Sequence, residues 1–202
     1  MASGNSAIKE VMNKFYKNME LDEFLANELV DAGYGGVEVQ KTPLGTRVIL
    51  HVTRPGLVIG KRGFGIKDLT DKLSQFGLQN PQISVSEIEV PELNARVIAN
   101  RVAQLINKGT AFRRAALWAL NVIMNAGAIG AEVIISGKLR SERANFEKYT
   151  AGILPKSGEP ANTYVDEAVS HVQLKLGTYG IKIKIAHKSI PEFELKEESS
   201  NG

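Results

Sequence analysis

No cysteine occurs among the 202 residues, which excludes a disulfide framework, thiolate chemistry and cysteine-ligated zinc. Histidine is scarce as well. His51, His171 and His187 fall in expected strands with no metal-ligand spacing to one another, so each reads as a half-exposed strand residue and no metal site is expected. The N-terminal run from Met1 to Lys9 contains no apolar block of the kind a secretory leader needs, so a reducing, cytoplasmic location is the expectation. The longest uncharged stretch, Ala115 to Ala131, approaches the lower limit for a membrane span, but Asn121, Asn125, Gly127 and Gly130 interrupt it. A buried helix ending at Gly127, followed by a strand beginning near Ala131, accounts for it better. Catalytic constellations are also missing. There is no Gly-x-Ser-x-Gly sequence, and the neighbours Asp166 and Glu167 would point to opposite faces of a strand, so they do not form an acid/base pair. Neither an enzymatic activity nor a cofactor is expected.

Hydrophobic residues make up 43% and charged residues 23%, which excludes wholesale disorder and coiled coil. A mass of 22.0 kDa suits one large domain or two of roughly 100 residues. The net charge of +3 says little by itself, but its distribution is uneven. Glu192, Glu194, Glu197 and Glu198 against Lys196 give the last twelve residues −3, which leaves +6 for the rest. Between His171 and Ile190 stand Lys175, Lys182, Lys184 and Lys188 and no acid. Screening confines each charge to about 8–10 Å at physiological salt, so local basic faces matter more than the total.

Hydrophobic periodicity predicts helices over 8–17 and 20–32, the second carrying Leu21, Phe24, Leu25 and Leu29 and closing at Gly33. A hairpin follows, with Val37 and Val39 in one arm, the turn Thr42-Pro43-Leu44-Gly45, and Val48, Leu50 and Val52 in the other. Ile66, Leu69, Leu73 and Phe76 describe a helix closed by Gly77. A strand over 82–90 changes apolar phase between Val85 and Ile88, for which a bulge is the expected cause. Pro91 opens a second block: a helix to Gly109, another over about 111–126, and strands over 131–139, 163–176 and 179–188. The last two strands form a hairpin turning at Gly177-Thr178-Tyr179-Gly180, and residues 149–162 read as an irregular loop. The order α-α-β-β-α-β, then α-α-β-β-β, predicts two small α+β domains meeting near residue 91.

The densest chemical signal runs from Arg54 to Gly65, RPGLVIGKRGFG, between a strand and a helix. It is not a P-loop: only three residues separate Gly56 from Gly60-Lys61, and Arg62 stands where a magnesium-binding hydroxyl belongs. It is not a dinucleotide fingerprint either, because Gly60, Gly63 and Gly65 give G-x-x-G-x-G. A G-x-x-G loop does fit, since glycines let backbone approach a nucleic-acid strand. The helix beginning near Phe64 offers N–H groups to a phosphate. Lys61 and Arg62 add charge at that point, Arg54 and Lys67 flank it, and Leu57, Val58 and Ile59 would wall a groove for bases. On this reading Gly60→Asp with Gly63→Asp leaves the fold intact and weakens RNA binding.

A second basic surface is expected on the helix containing Arg113 and Arg114. Phe112, Ala116, Ala119, Ile123 and Ala126 form its buried face, while Arg114, Asn121 and Asn125 mark the opposite one, interrupted by Leu117 and Trp118. Trp118 is expected to pack against the next element rather than stack on a base. Lys138, Arg140, Arg143 and Lys148 follow the first strand of the second block as either a solvated loop or a phosphate-contacting patch.

Gly35-Gly36-Val37-Glu38-Val39, the run from Thr46 to Gly63, Phe112-Arg113-Arg114-Ala115 and Ser136-Gly137-Lys138-Leu139-Arg140 occur in order. On these motifs the chain resembles the small ribosomal subunit protein three family in its archaeal and eukaryotic form, over about residues 8–190. The resemblance implies a type II KH domain (α-β-β-α-α-β) followed by a family-specific α+β domain. The expected limits are 1–15 for an N-terminal extension, 16–91 for the KH domain, 92–190 for the C-terminal domain and 191–202 for a flexible acidic tail. It further implies a place in the small-subunit head, contact with small-subunit rRNA, neighbours of families ten and fourteen, and a lining of the channel through which mRNA enters. By resemblance Gly60, Lys61, Arg62 and Gly63 are the KH loop, and Arg113 and Arg114 face that channel. Bacterial relatives carry a further basic residue where Leu117 stands. The RNA-binding set is therefore expected to comprise Arg54, Gly60, Lys61, Arg62, Gly63, Lys67, Arg113, Arg114, Lys138, Arg140, Arg143, Lys182 and Lys184. A KH regulator binding single-stranded RNA away from the ribosome is the alternative. A nucleic-acid-processing enzyme using a lysine Schiff base is weaker, because no lysine has a context that argues for a lowered pKa.

Overall fold

The computed structural model describes residues 3–42, 45–76, 78 and 80–187. It divides into two compact units, Met1–Glu89 and Val90–Gly202. Pro43 and Leu44 of the expected turn, Gly77 of the expected helix stop, Lys188 and the acidic tail lie outside the described residues.

The first unit begins with helix α1, Ser3–Glu28, one continuous element where the sequence suggested a break near residue 18. Its C-terminal half buries Leu21 and Leu25, whereas Val11, Phe15 and Met19, spaced four apart, are exposed. A 3-10 turn, Val30–Ala32, and left-handed Gly33 then reverse the chain. Strands β1, Tyr34–Thr42, and β2, Gly45–Val52, pair antiparallel. Helix α2, Pro55–Ile59, and helix α3, Phe64–Gln75, lead to β3, Gln82–Glu87, which pairs parallel with β2 in the order β1-β2-β3. The register explains the core. Val39, Val48 and Ile83 form one cross-strand row, and Val37, Leu50 and Val85 the next. Both rows pack with Leu25, Val58, Leu69 and Leu73 from the helices. Strand β3 ends at Glu87 without a bulge, so the apolar phase change marks the end of the strand. The irregularity in this sheet lies instead in β1, between Tyr34 and Gly36.

The second unit opens with a 3-10 turn at Pro91–Leu93, then α4, Ala95–Asn107, and α5, Phe112–Asn125. Asn94 caps α4 by accepting from the Val97 N–H at 3.1 Å, and the Asp166 carboxylate accepts from the Ala95 N–H at 2.8 Å. Strands β4, Gly130–Gly137, and β5, Asn145–Gly152, follow. A short α6, Glu159–Thr163, leads to β6, Val165–Leu174, and β7, Gly177–Ala186. All neighbours are antiparallel in the order β5-β4-β7-β6. Strand β5 occupies sequence expected to be linker and loop. The last hairpin turns at Lys175-Leu176, earlier than expected, because Leu174 already pairs with Gly177 and Tyr179 is a buried strand residue. Ala131, Val133, Ile135, Ile181, Ile183 and Ile185 face Ile98, Val102, Ala116, Ala119 and Ile123 of α4 and α5. Trp118 packs partly buried against that core, as expected. Among the described residues no helix is long and apolar enough to cross a membrane.

Candidate nucleic-acid interface

The G-x-x-G loop joins the end of α2 to the start of α3. Pro55 sits in the first turn of α2, where its missing N–H costs nothing, and the Arg54 guanidinium donates to the Asp31 carbonyl at 2.7 Å. That bond ties the start of α2 to the turn after α1, so Arg54 is partly committed to structure. At the other end Gly60 takes φ +67°, ψ −177°, a region only glycine enters readily, and its N–H bonds to the Gly56 carbonyl at 3.1 Å. Arg62 (φ +56°, ψ +26°) and Gly63 (φ +78°, ψ +12°) are both left-handed. Two successive left-handed residues throw the chain into α3 while Lys61 and Arg62 stay exposed.

The close packing depends on Gly65. A Cβ there would lie 2.4 Å from the Val58 carbonyl oxygen and 3.2 Å from that of Ile59. Gly63 has open space around its missing Cβ, which leaves backbone accessible at the loop. Gly60 does not, since its Cβ would meet the Gly65 nitrogen at 3.0 Å. The expectation that Gly60→Asp with Gly63→Asp preserves the fold is therefore corrected: both positions are left-handed in φ and one is crowded. The apolar wall also needs correction. Val58 is buried in the core, and the exposed apolar groups here are Leu57, Ile59 and Phe64. Phe64 escaped the sequence reading, although an aromatic between two glycines at a loop exit was its signal. Lys67 is exposed one turn into α3.

In the second unit Arg113 and Arg114 are exposed in the first turn of α5, and Leu117 beside them is 52% exposed. The Arg113 guanidinium carbon lies 6.0 Å from the centroid of the Phe112 ring. The structure joins Arg113 to Arg140 of the β4–β5 link through Glu147 on β5. Arg113 Nε is 3.4 Å from one carboxylate oxygen, Arg140 Nη2 contacts the other, and the Tyr149 hydroxyl donates to the first at 2.5 Å. Hydrogen bonding to Glu147 raises the Arg113 pKa further, so its charge is permanent at any working pH. Burial, and then the Glu147 carboxylate, push the Tyr149 hydroxyl above its ordinary value and keep it a donor. Lys138 and Arg143 are exposed in the same link, and the Lys138 carbonyl accepts from the Tyr179 hydroxyl at 2.6 Å.

Other expected contacts are engaged within the protein. Lys182 and Lys184, on the sheet face away from the helices, both pair with Glu167, and Lys148 pairs with buried Glu132 at 2.7 Å. Lys182 above all holds the Glu167 carboxyl below the ordinary carboxylate range. No group of three or more histidine or acidic residues placed to hold a metal occurs among the described residues.

Two family models match the chain: a KH domain over residues 20–94, and the C-terminal domain of ribosomal protein S3 over residues 102–185. Small ribosomal subunit protein uS3 of Thermofilum pendens is 50% identical over 182 residues, covering 90% of each chain. The proteins of that name from Sulfurisphaera tokodaii and Sulfolobus acidocaldarius are 50% and 51% identical, covering 94% and 88% of this chain and 86% and 78% of their own. With the α-β-β-α-α-β order of the first unit and an α+β second unit, the expected fold class and resemblance are both met. The chain belongs to the small ribosomal subunit protein uS3 family.

Proposed function

We propose that the chain is a structural, RNA-binding constituent of the small ribosomal subunit head in the cytoplasm, holding rRNA and taking part in no chemical step. In this reading a KH domain over 16–91 and a C-terminal domain over 92–190 each contribute an RNA-facing surface. Compact units meeting at Glu89 and Val90 support that division, although residue 16 falls inside α1. The observation that carries the reading is the left-handed loop at Arg62-Gly63, which exposes two cations beside backbone that no Cβ covers. Arg113 and Arg114 supply the second surface, toward mRNA entering its channel, and proteins of families ten and fourteen are its neighbours in the head. The mechanism is phosphate neutralisation and backbone contact, which positions RNA without reacting with it.

The test is sedimentation of the protein with small subunits after a high-salt wash, followed by a footprint of the assembled particle. Retention with protection of rRNA at the Lys61/Arg62 loop is expected. Release by salt, with RNA binding confined to unassembled protein, would favour the regulator instead. For the protein alone, log K against log salt should fall by about 0.7 per phosphate contacted on single strands, and a flat line would contradict the electrostatic mechanism.

A further inference from the structure

We propose that Glu147 is a positioning residue that gathers Arg113 and Arg140 into one two-guanidinium site for an RNA phosphodiester. The inference rests on the RNA-binding reading above and adds to it the residue that shapes the site. The two arginines come from different elements, the first turn of α5 and the β4–β5 link, and would repel one another if nothing stood between them. Glu147 bonds each through a different oxygen, which holds the two guanidinium groups side by side.

Burial runs in the direction the proposal needs. The Glu147 side chain is only 19% exposed, whereas Arg113 and Arg140 are 57% and 63% exposed. The acid is the anchor and the cations are the outer layer. Glu147 pairs across the sheet with buried Ile135, so it points to the face that α5 covers. Tyr149, two residues on and on the same face, donates to the oxygen that Arg113 uses and fixes the carboxylate further. Each arginine commits one nitrogen to the acid, out of a fork that carries five N–H donors. The remaining donors serve a phosphate, for which guanidinium geometry is well matched. The cluster keeps a net positive charge, with Arg114, Lys138 and Arg143 exposed on the same helix turn and link.

Charge alone predicts the opposite of positioning, which makes the proposal testable. If Glu147 merely neutralised two arginines, removing its charge would tighten binding to a polyanion. If it positions them, removing it weakens binding. The full chain would be titrated with a short labelled oligouridylate as Glu147→Gln, as Arg113→Ala/Arg140→Ala, and as the triple variant, with thermal melts alongside. Glu147→Gln should bind about two- to fivefold more weakly while melting as a folded protein. The triple variant should be no weaker than the arginine double, because Glu147 acts through those side chains. Equal or tighter binding by Glu147→Gln would overturn the positioning role and leave the RNA reading standing. Unchanged affinity in Arg113→Ala/Arg140→Ala would overturn the RNA reading of this surface itself. Should Glu147→Gln unfold, Glu147→Asp replaces it. That variant keeps the charge and shortens the reach, so positioning predicts weaker binding and neutralisation predicts unchanged binding.

Discussion

Replacing Gly65 by alanine should disrupt the KH loop more than its size suggests. The new Cβ would sit 2.4 Å from the Val58 carbonyl oxygen, and ordinary contact begins at 3.4 Å, so a displacement of about 1 Å is required. The obstructing atoms are backbone, which cannot swing aside as a side chain would. Either α2 must move, pulling Val58 from the core beside Leu69 and Leu73, or α3 must tilt at its first turn. Overpacking of this kind costs about 1–3 kcal/mol. For a unit of this size that lowers the melting transition by roughly 5–20 °C. Gly63→Asn is the informative partner, because asparagine tolerates the left-handed conformation and nothing crowds that position, so it should change stability by a few tenths of a kcal/mol. Gly36→Ala, in open space on β1, is the blank. Circular dichroism melts of the three variants against the parent give the ranking. A Gly65→Ala protein that melts with the parent, or above Gly63→Asn, would refute the claim that helix-to-helix approach dictates glycine at 65.

Three other outcomes follow from the geometry. Arg62→Gly relieves a left-handed residue at some cost in chain entropy, so stability should stay within about 1 kcal/mol of the parent while RNA affinity in filter binding falls; unchanged affinity would remove Arg62 from the interface. The Glu167 pKa is depressed in the folded protein, so its stabilisation is present above the unfolded value near 4.5 and is lost as pH falls through the lower folded value. Acid titrations of melting temperature should therefore drop less steeply in Glu167→Gln, and identical slopes would contradict the pairing with Lys182 and Lys184. Finally, Arg113→Ala/Arg114→Ala subunits should assemble normally but slow on messengers with a downstream hairpin, while Leu117→Lys in the parent should speed passage. Equal slowing on structured and unstructured messengers would point to an assembly defect.

Much of this architecture can be read from periodicity, because the buried rows are regular. Ile181, Ile183 and Ile185 alternate cleanly, and Ala116, Ala119 and Ile123 of the expected α5 face are buried, although Phe112 and Ala126 are only half-buried and the buried Ala115 and Leu120 were not on it. Strand β5 escaped for a physical reason. On its inward face Glu147 stands where an apolar residue would complete the alternation with Tyr149 and Ala151. The same carboxylate that hid the strand organises Arg113 and Arg140, so pattern failure and site coincide. In the loop, glycine spacing marked the candidate contact surface but not its conformation. No local rule placed arginine in a left-handed position, and Val58 looked like groove wall until the core claimed it. For Lys182 and Lys184 the sequence supplied charge, but their partner Glu167 lies on the neighbouring strand, which only the register reveals.

Strand order in the second unit has a consequence for the moment of synthesis. The first unit needs nothing beyond Glu87 to close its sheet. In the second, β7 is translated last among the described strands yet lies between β4 and β6, as the order β5-β4-β7-β6 requires. Until Ile181, Ile183 and Ile185 emerge, β4 has a partner on one side only, and the apolar faces of α4 and α5 lack much of their cover. The chain thus passes through a species in which β4, paired with β5 alone, exposes its other edge, and aggregation draws on exposed edges of that kind. A chain halted between Leu174 and Gly177 would hold a finished KH fold attached to a sheet that is missing its middle.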